Sequence, residues 1–242
     1  MKILLALLLI LGFTETSKAQ SAANTISSPD KNILVTCDVA NASYTIAYKG
    51  SIILKNSKLG VVREDEDFSK NLQLVKVTAP VIVKDNYTML NAKKKNISYT
   101  ATQRIFETKT ASGKKMNIIF RVSNDGVAFQ YEFPERSTEI KKITGESTSF
   151  HFNEGTRAWL QPKTEAQSGW EHSNPSYEAH YMMDIKTGTP APGANGWIYP
   201  AMFKYGDTWM LLTEAGLGRG YCGTSLQQNS PDNEYRINFP QP

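Results

Sequence analysis

From Ile33 onward the chain is a succession of short apolar segments broken by turn residues, and that rhythm narrows the available folds more than any single motif does. The segments run 33–39, 44–48, 51–54, 72–77, 96–102, 104–110, 116–122, 127–133 and 146–152, and a last pair occupies 197–203 and 209–213. Between them lie Lys49-Gly50, Ser112-Gly113, Asn124-Asp125-Gly126 and Tyr205-Gly206-Asp207, residue types that reverse a chain rather than extend it. Segments rich in β-branched and aromatic residues, repeating at about ten-residue spacing, predict an antiparallel sandwich and not strand–helix–strand units. No stretch holds a helical period over three turns. The expected fold is therefore all-β, a single sandwich of two large antiparallel sheets.

The first residues follow another logic. Lys2 precedes an apolar run ending at Phe13, too short to span a bilayer comfortably, and Ser17-Lys18-Ala19 supplies small residues where a signal peptidase cuts. Residues 1–19 are read as an export signal processed after Ala19. The polar segment 20–32 is read as a flexible start, and 33–242 as one domain. No later apolar run approaches a membrane helix, so no membrane association is expected once the signal is removed. The net charge of +4 is scattered apart from Lys93-Lys94-Lys95, which leaves no nucleic-acid footprint. Cys37 and Cys222 lack metal-ligand spacing; export permits a disulfide between them, and two buried thiols fit equally well.

Two regions carry residues with chemical potential. The hairpin around Tyr205-Gly206-Asp207 ends at Glu214, just before Gly216, Gly218 and Gly220. A carboxylate at a strand exit, held among aromatics and followed by flexible backbone, is where an all-β domain presents a polar site. The second region, 161–192, has no strand pattern, and loops of this length in compact domains are functional or disordered. It holds Trp170, Glu171, His172, Tyr177, Glu178, His180 and Tyr181, with Trp159 just before it. Aromatic faces beside carboxylates and amides suit sugar rings, and Trp170, Tyr177 and Tyr181 are the candidate sugar contacts; a domain interface uses the same residue types.

These wordings resemble a known family. The stretch from Gly196 to Gly223, the opening Ser28-Pro29-Asp30-Lys31-Asn32, Leu59-Gly60, and the strand–turn–strand from Phe120 to Pro134 occur in the order found in the N-terminal domain of glycoside hydrolase family 97, bacterial α-glucosidases and α-galactosidases. The resemblance covers essentially all of the chain after the signal. It implies a β-supersandwich like that of galactose mutarotase and points to the periplasm among the exported locations, with secretion or the cell surface left open. It also implies a role as the carbohydrate-binding or accessory domain of an exo-acting enzyme on α-linked oligosaccharides. Family members continue into a (β/α)8 catalytic barrel and a small C-terminal β-domain, while this sequence stops at Pro242. The barrel is thus the implied partner, and no catalytic residue is assigned to this chain.

Within the resemblance, Glu178 occupies the place where the N-terminal domain lends a carboxylate to a calcium ion shared with the barrel. Calcium takes six to eight hard oxygen ligands, so one domain need not supply them all. Two other functions stay open: a free-standing carbohydrate-binding or scaffolding protein, and an aldose epimerase pairing His172 or His180 with Glu214.

Overall fold

The structure, a computed structural model, describes residues 24–164 and 179–240. Strand alternation is visible in the side chains themselves. In Ile33–Asp38 the residues Ile33, Val35 and Cys37 point inward while Leu34, Thr36 and Asp38 face solvent. In Lys115–Ser123 the inward set is Met116, Ile118, Phe120 and Val122, all fully buried. A period of two with one apolar face is what lets a sheet cover a core from one side.

The strands assemble into antiparallel groups. Thr25–Ser27, Ile33–Asp38, Ser43–Tyr48 and Ser51–Lys58 form a four-stranded meander. Val127–Glu132, Lys115–Ser123 and Asn96–Lys109 are adjacent in a five-stranded sheet, where Gln73–Val77 and Val81–Thr88 pair with successive parts of Asn96–Lys109. Ile143–Glu146, Val61–Arg63 and Glu66–Asp67 make one three-stranded group, and Ser149–His151, Glu234–Asn238 and Ser225–Leu226 another. The last sheet has the order Met182–Lys186, Arg157–Leu160, Ala201–Tyr205, Thr208–Leu212. Every pairing is antiparallel, and among the described residues the helical content is one 3-10 turn, Pro231–Asn233. No helix among them is long and apolar enough to cross a membrane.

One continuous core joins these groups. Tyr44, Phe120 and Phe129 pack with ring centroids 5.4–6.0 Å apart. A second aromatic node stacks Phe152 on Phe203 at 3.9 Å, with the edge of Tyr235 against both. Arg63 is buried as a cation against two further rings. Its guanidinium lies 5.1 and 4.6 Å from the Phe68 and Phe133 rings and bonds Asp65 at 2.6 Å. This pairing supplies the partner that a buried charge requires.

The all-β reading holds, with local differences. Residues 96–102 and 104–110, read as two strands, form one long strand, Asn96–Lys109, because no residue there breaks the ladder. The single segment 146–152 is instead two strands, Ile143–Glu146 and Ser149–His151, in different sheets. The switch falls where the Ser147 N–H turns to the Gly60 carbonyl at 2.8 Å. The hairpin strand expected from residue 197 begins at Ala201, since Pro200 has no N–H to extend the ladder. Part of the start expected to be flexible is an edge strand: Thr25–Ser27 pairs with Ser27 opposite Leu34, and Ile26 is buried in the core. Inside the expected loop 161–192 the structure places the strand Met182–Lys186.

The two cysteines do not pair: Cys37 is buried and Cys222 is exposed. Burial, with the Asp38 charge beside it, pushes the Cys37 thiol up to about 12. A thiol-specific chromogenic reagent is therefore expected to titrate a single group rapidly in the native chain and the second only in denaturant. Two fast thiols, or none, would contradict this arrangement.

Candidate functional site

The hairpin Ala201–Tyr205 and Thr208–Leu212 turns on two residues, Gly206 and Asp207, with Tyr205 opposite Thr208. It delivers Glu214 to the sheet end as the sequence pattern implies. There the Glu214 carboxylate accepts the Thr224 N–H, at 3.0 and 3.3 Å to its two oxygens, and also the Thr224 hydroxyl. Those bonds close the glycine-rich loop 214–224 at its base. Gly216 in this loop adopts φ +74°, a conformation glycine reaches without a Cβ penalty.

A second fastening comes from far away in sequence. The Tyr221 hydroxyl donates to Glu146, the last residue of Ile143–Glu146. Beneath it, the Thr148 and Tyr131 hydroxyls lie 2.7 Å apart, and the Tyr131 oxygen accepts the Gly60 N–H at 2.8 Å. Tyr199 completes the corner; burial and the charges of Glu214 and Glu146 hold its phenol well above the usual tyrosine range. Tyr181 adjoins the corner, its hydroxyl donating to the Pro200 carbonyl at 3.0 Å.

The electrostatics of the corner are those of two carboxylates sharing little solvent. Burial raises the Glu146 carboxyl above 4.5, and the neighbouring Glu214 charge adds to the rise, against hydrogen bonds from Thr148 and Tyr221. Because the folded value lies above the unfolded one, this group's contribution is complete below the unfolded value and is lost as pH rises through the folded value. Glu146→Gln keeps an acceptor for Tyr221 and removes the charge. It is expected to raise the thermal midpoint at neutral pH and to flatten the loss of stability between mildly acidic and neutral pH. A variant midpoint below that of the wild type at neutral pH would show that the carboxylate is net stabilising there.

The sequence-predicted residues are distributed unevenly. Tyr181 is exposed at the corner, and His180 beside it is exposed as well. Trp170, Glu171, His172, Tyr177 and Glu178 lie outside the described residues. Among the described residues, no group of three His, Cys, Asp or Glu side chains converges where a metal ion could sit. Glu214 reaches its expected place, yet both of its oxygens serve Thr224, which makes it a loop fastener more than a free base. Glu146 and Tyr221 escaped the sequence reading. They are 75 residues apart, one inside a strand segment and the other inside a glycine-rich run, and no local pattern links them.

Comparison with known proteins places this geometry in context. A family model described as the glycosyl-hydrolase 97 N-terminal domain matches residues 26–242. A probable retaining alpha-galactosidase from Streptomyces bingchenggensis (strain BCW-1) is 24% identical over 230 residues, covering 93% of this chain and 34% of the relative. Among solved structures, a beta-arabinopyranosidase superposes with a TM-score of 0.83 at 31% identity, over 90% of this chain and 35% of that one. A glycoside hydrolase family 97 enzyme from Pseudoalteromonas sp. strain K8, in complex with panose, is similar in fold, with a TM-score of 0.73 at 23% identity, over 89% of this chain and 31% of that one. The chain thus spans about a third of the length of these relatives.

Proposed function

Since the chain belongs to the glycoside hydrolase 97 family, which it matches as the N-terminal domain, we propose that it is the carbohydrate-binding or accessory domain of an exo-acting α-glycoside hydrolase. The observation that carries this reading is the match over residues 26–242, together with relatives about three times as long whose names are those of glycosidases. In this reading the domain packs on a (β/α)8 barrel and helps complete its substrate pocket. Trp170, Tyr177 and Tyr181 are its sugar contacts, and Glu178 supplies one carboxylate to a calcium site whose other ligands come from the barrel. The position of Tyr181 beside the carboxylate corner supports a polar, hydroxyl-accepting surface at this end of the sandwich. An export signal ahead of the domain accords with oligosaccharide processing in the periplasm.

The reading has a direct test in hydrolysis of p-nitrophenyl α-glucoside and α-galactoside, with and without chelator. The 242-residue chain is expected to show no turnover, because an acid–base pair positioned about one bond is required and Glu214 is already engaged by Thr224. In a polypeptide that joins this domain to a barrel, Glu178→Gln is expected to lower turnover and weaken its dependence on calcium while the sandwich stays folded. Robust hydrolysis by the chain alone, or an unaffected Glu178→Gln enzyme, would overturn the assignment.

A further inference from the structure

The outward face of the sheet containing the hairpin carries a cluster that the carboxylate corner does not use. Along Arg157–Leu160, Ala158 and Leu160 enter the core, so Arg157 and Trp159 point outward. Along Ala201–Tyr205 the outward residues are Met202 and Lys204, and along Thr208–Leu212 they are Trp209 and Leu211. Register then sets Trp159 opposite Met202 and Met202 opposite Leu211, while Arg157 lies opposite Lys204 and Lys204 opposite Trp209. The two indole rings meet across the sheet with centroids 4.7 Å apart and planes tilted by 49°. Trp209 remains 51% exposed and Leu211 61%. Single exposed apolar residues are ordinary, but a contiguous patch centred on two tryptophans marks a binding surface.

We propose that this face is a stacking platform for a neutral oligosaccharide, with Trp209 and Trp159 as the ring surfaces and Lys204, Arg157 and Asp184 as the polar rim. The charges on the face select this occupant over a protein. Lys186, Arg157 and Lys204 occupy adjacent positions across three strands, and the carboxylate held among them is Asp184, which Arg157 bonds at 2.9 Å. A protein surface covering the patch would have to desolvate three cations with one carboxylate of this face to offset them and so would need acidic groups of its own here, a demand that a neutral sugar does not make. A pyranose covers the exposed indole surface with its C–H face, while Lys204, whose ammonium lies 5.0 Å from the Trp209 ring centroid, and Arg157, which already holds Asp184, bond its hydroxyls with the donors those contacts leave over. The tilt between the rings gives two facets, which suits successive sugar units along a chain better than a single ring. This platform rests on the reading of the chain as part of a carbohydrate-active enzyme, and it adds a sugar contact on strands whose residues are fixed by the ladder.

The test uses the 242-residue chain in native electrophoresis through soluble starch, and tryptophan-fluorescence titration with panose and raffinose. The wild type is expected to be retarded by starch or quenched by at least one trisaccharide. Trp209→Ala and Trp159→Ala should each weaken binding about tenfold or more, with the far-ultraviolet circular dichroism unchanged. Leu211→Ser is the control, removing apolar area but no ring, and it should leave binding within about twofold of the wild type. Binding that survives both tryptophan variants, or that Leu211→Ser weakens equally, would overturn the platform. So would a wild type that binds none of the three probes, or a concentration-dependent dimer dispersed by Trp209→Ala. The hydrolysis assays above judge the enzyme reading separately: a hydrolase that needs this domain but shows no starch retention sinks the platform alone.

Discussion

Phe203→Ala is expected to destabilise the domain by about 3–5 kcal/mol, the range for removing a fully buried aromatic ring. Phe203 has no exposed surface and stacks on Phe152 at 3.9 Å with ring planes 20° apart, while Tyr235 meets it edge-on at 5.1 Å. Phe203 belongs to the hairpin sheet and Tyr235 to the group of Ser149–His151, Glu234–Asn238 and Ser225–Leu226, while Phe152 follows Ser149–His151 and bridges Leu54 of the meander, so the lost ring is one that ties these parts together. Its ladder neighbour on one side is Ala158, itself fully buried, and a methyl group has no reach with which to fill the void. The ring faces are consequently left without partner atoms, and the cavity term adds to the transfer term. Urea unfolding at constant slope would measure the loss, and Phe203→Leu should recover a good part of it by volume. A loss under about 1 kcal/mol would mean that the sheets close over the gap, against the packing described here.

That node also shows where the sequence could and could not be read. Strand identity was legible wherever one face is apolar, as in Ile33–Asp38 and Lys115–Ser123, because the period of two is a property of the chain alone. The hairpin around Gly206-Asp207 was legible from turn chemistry. Short strands were not: Val61–Arg63, Glu66–Asp67 and Ser225–Leu226 are too brief to show a period, and only their partners define them. Val81–Thr88 was hidden for the opposite reason. Its residues are mostly exposed on both faces, so no apolar side announces it. At the site, Glu214 was legible because its strand and its glycines are contiguous with it. Its companions Glu146 and Tyr221 were not, since the corner exists only after a strand of one sheet and a loop of another meet. The Trp159–Trp209 pair has the same character: each ring was visible in the sequence, but the ladder through Ala201–Tyr205 is what makes them neighbours.

Gly196→Ala is the other substitution expected to do severe damage, although it adds only one methyl group. Gly196 has φ +79°, in the left-handed region where a Cβ costs roughly 1–2 kcal/mol. More decisive is its surroundings. A Cβ built there would lie 1.9 Å from the Leu226 carbonyl oxygen and 3.0 Å from the next backbone carbon, so the obstacle is main chain and not a side chain able to swing away. That same carbonyl accepts the Trp197 N–H at 2.9 Å, while the Leu226 N–H donates to the Trp197 carbonyl at 2.7 Å. The Gly196 carbonyl in turn accepts the Lys163 N–H at 2.8 Å. Relieving the clash therefore means separating the segment around Trp197, itself fully buried, from the strand Ser225–Leu226 and from the segment after Arg157–Leu160. Strain and overpacking together put the expected loss at roughly 2–5 kcal/mol. Gly50→Ala serves as the comparison, since Gly50 has φ +83° but open space around its Cβ position. If close backbone approach is what demands glycine at 196, chemical denaturation should show Gly196→Ala losing clearly more than Gly50→Ala. Equal losses would mean that left-handed strain alone sets the cost, and that the contact with Leu226 yields without breaking the bridge to Trp197.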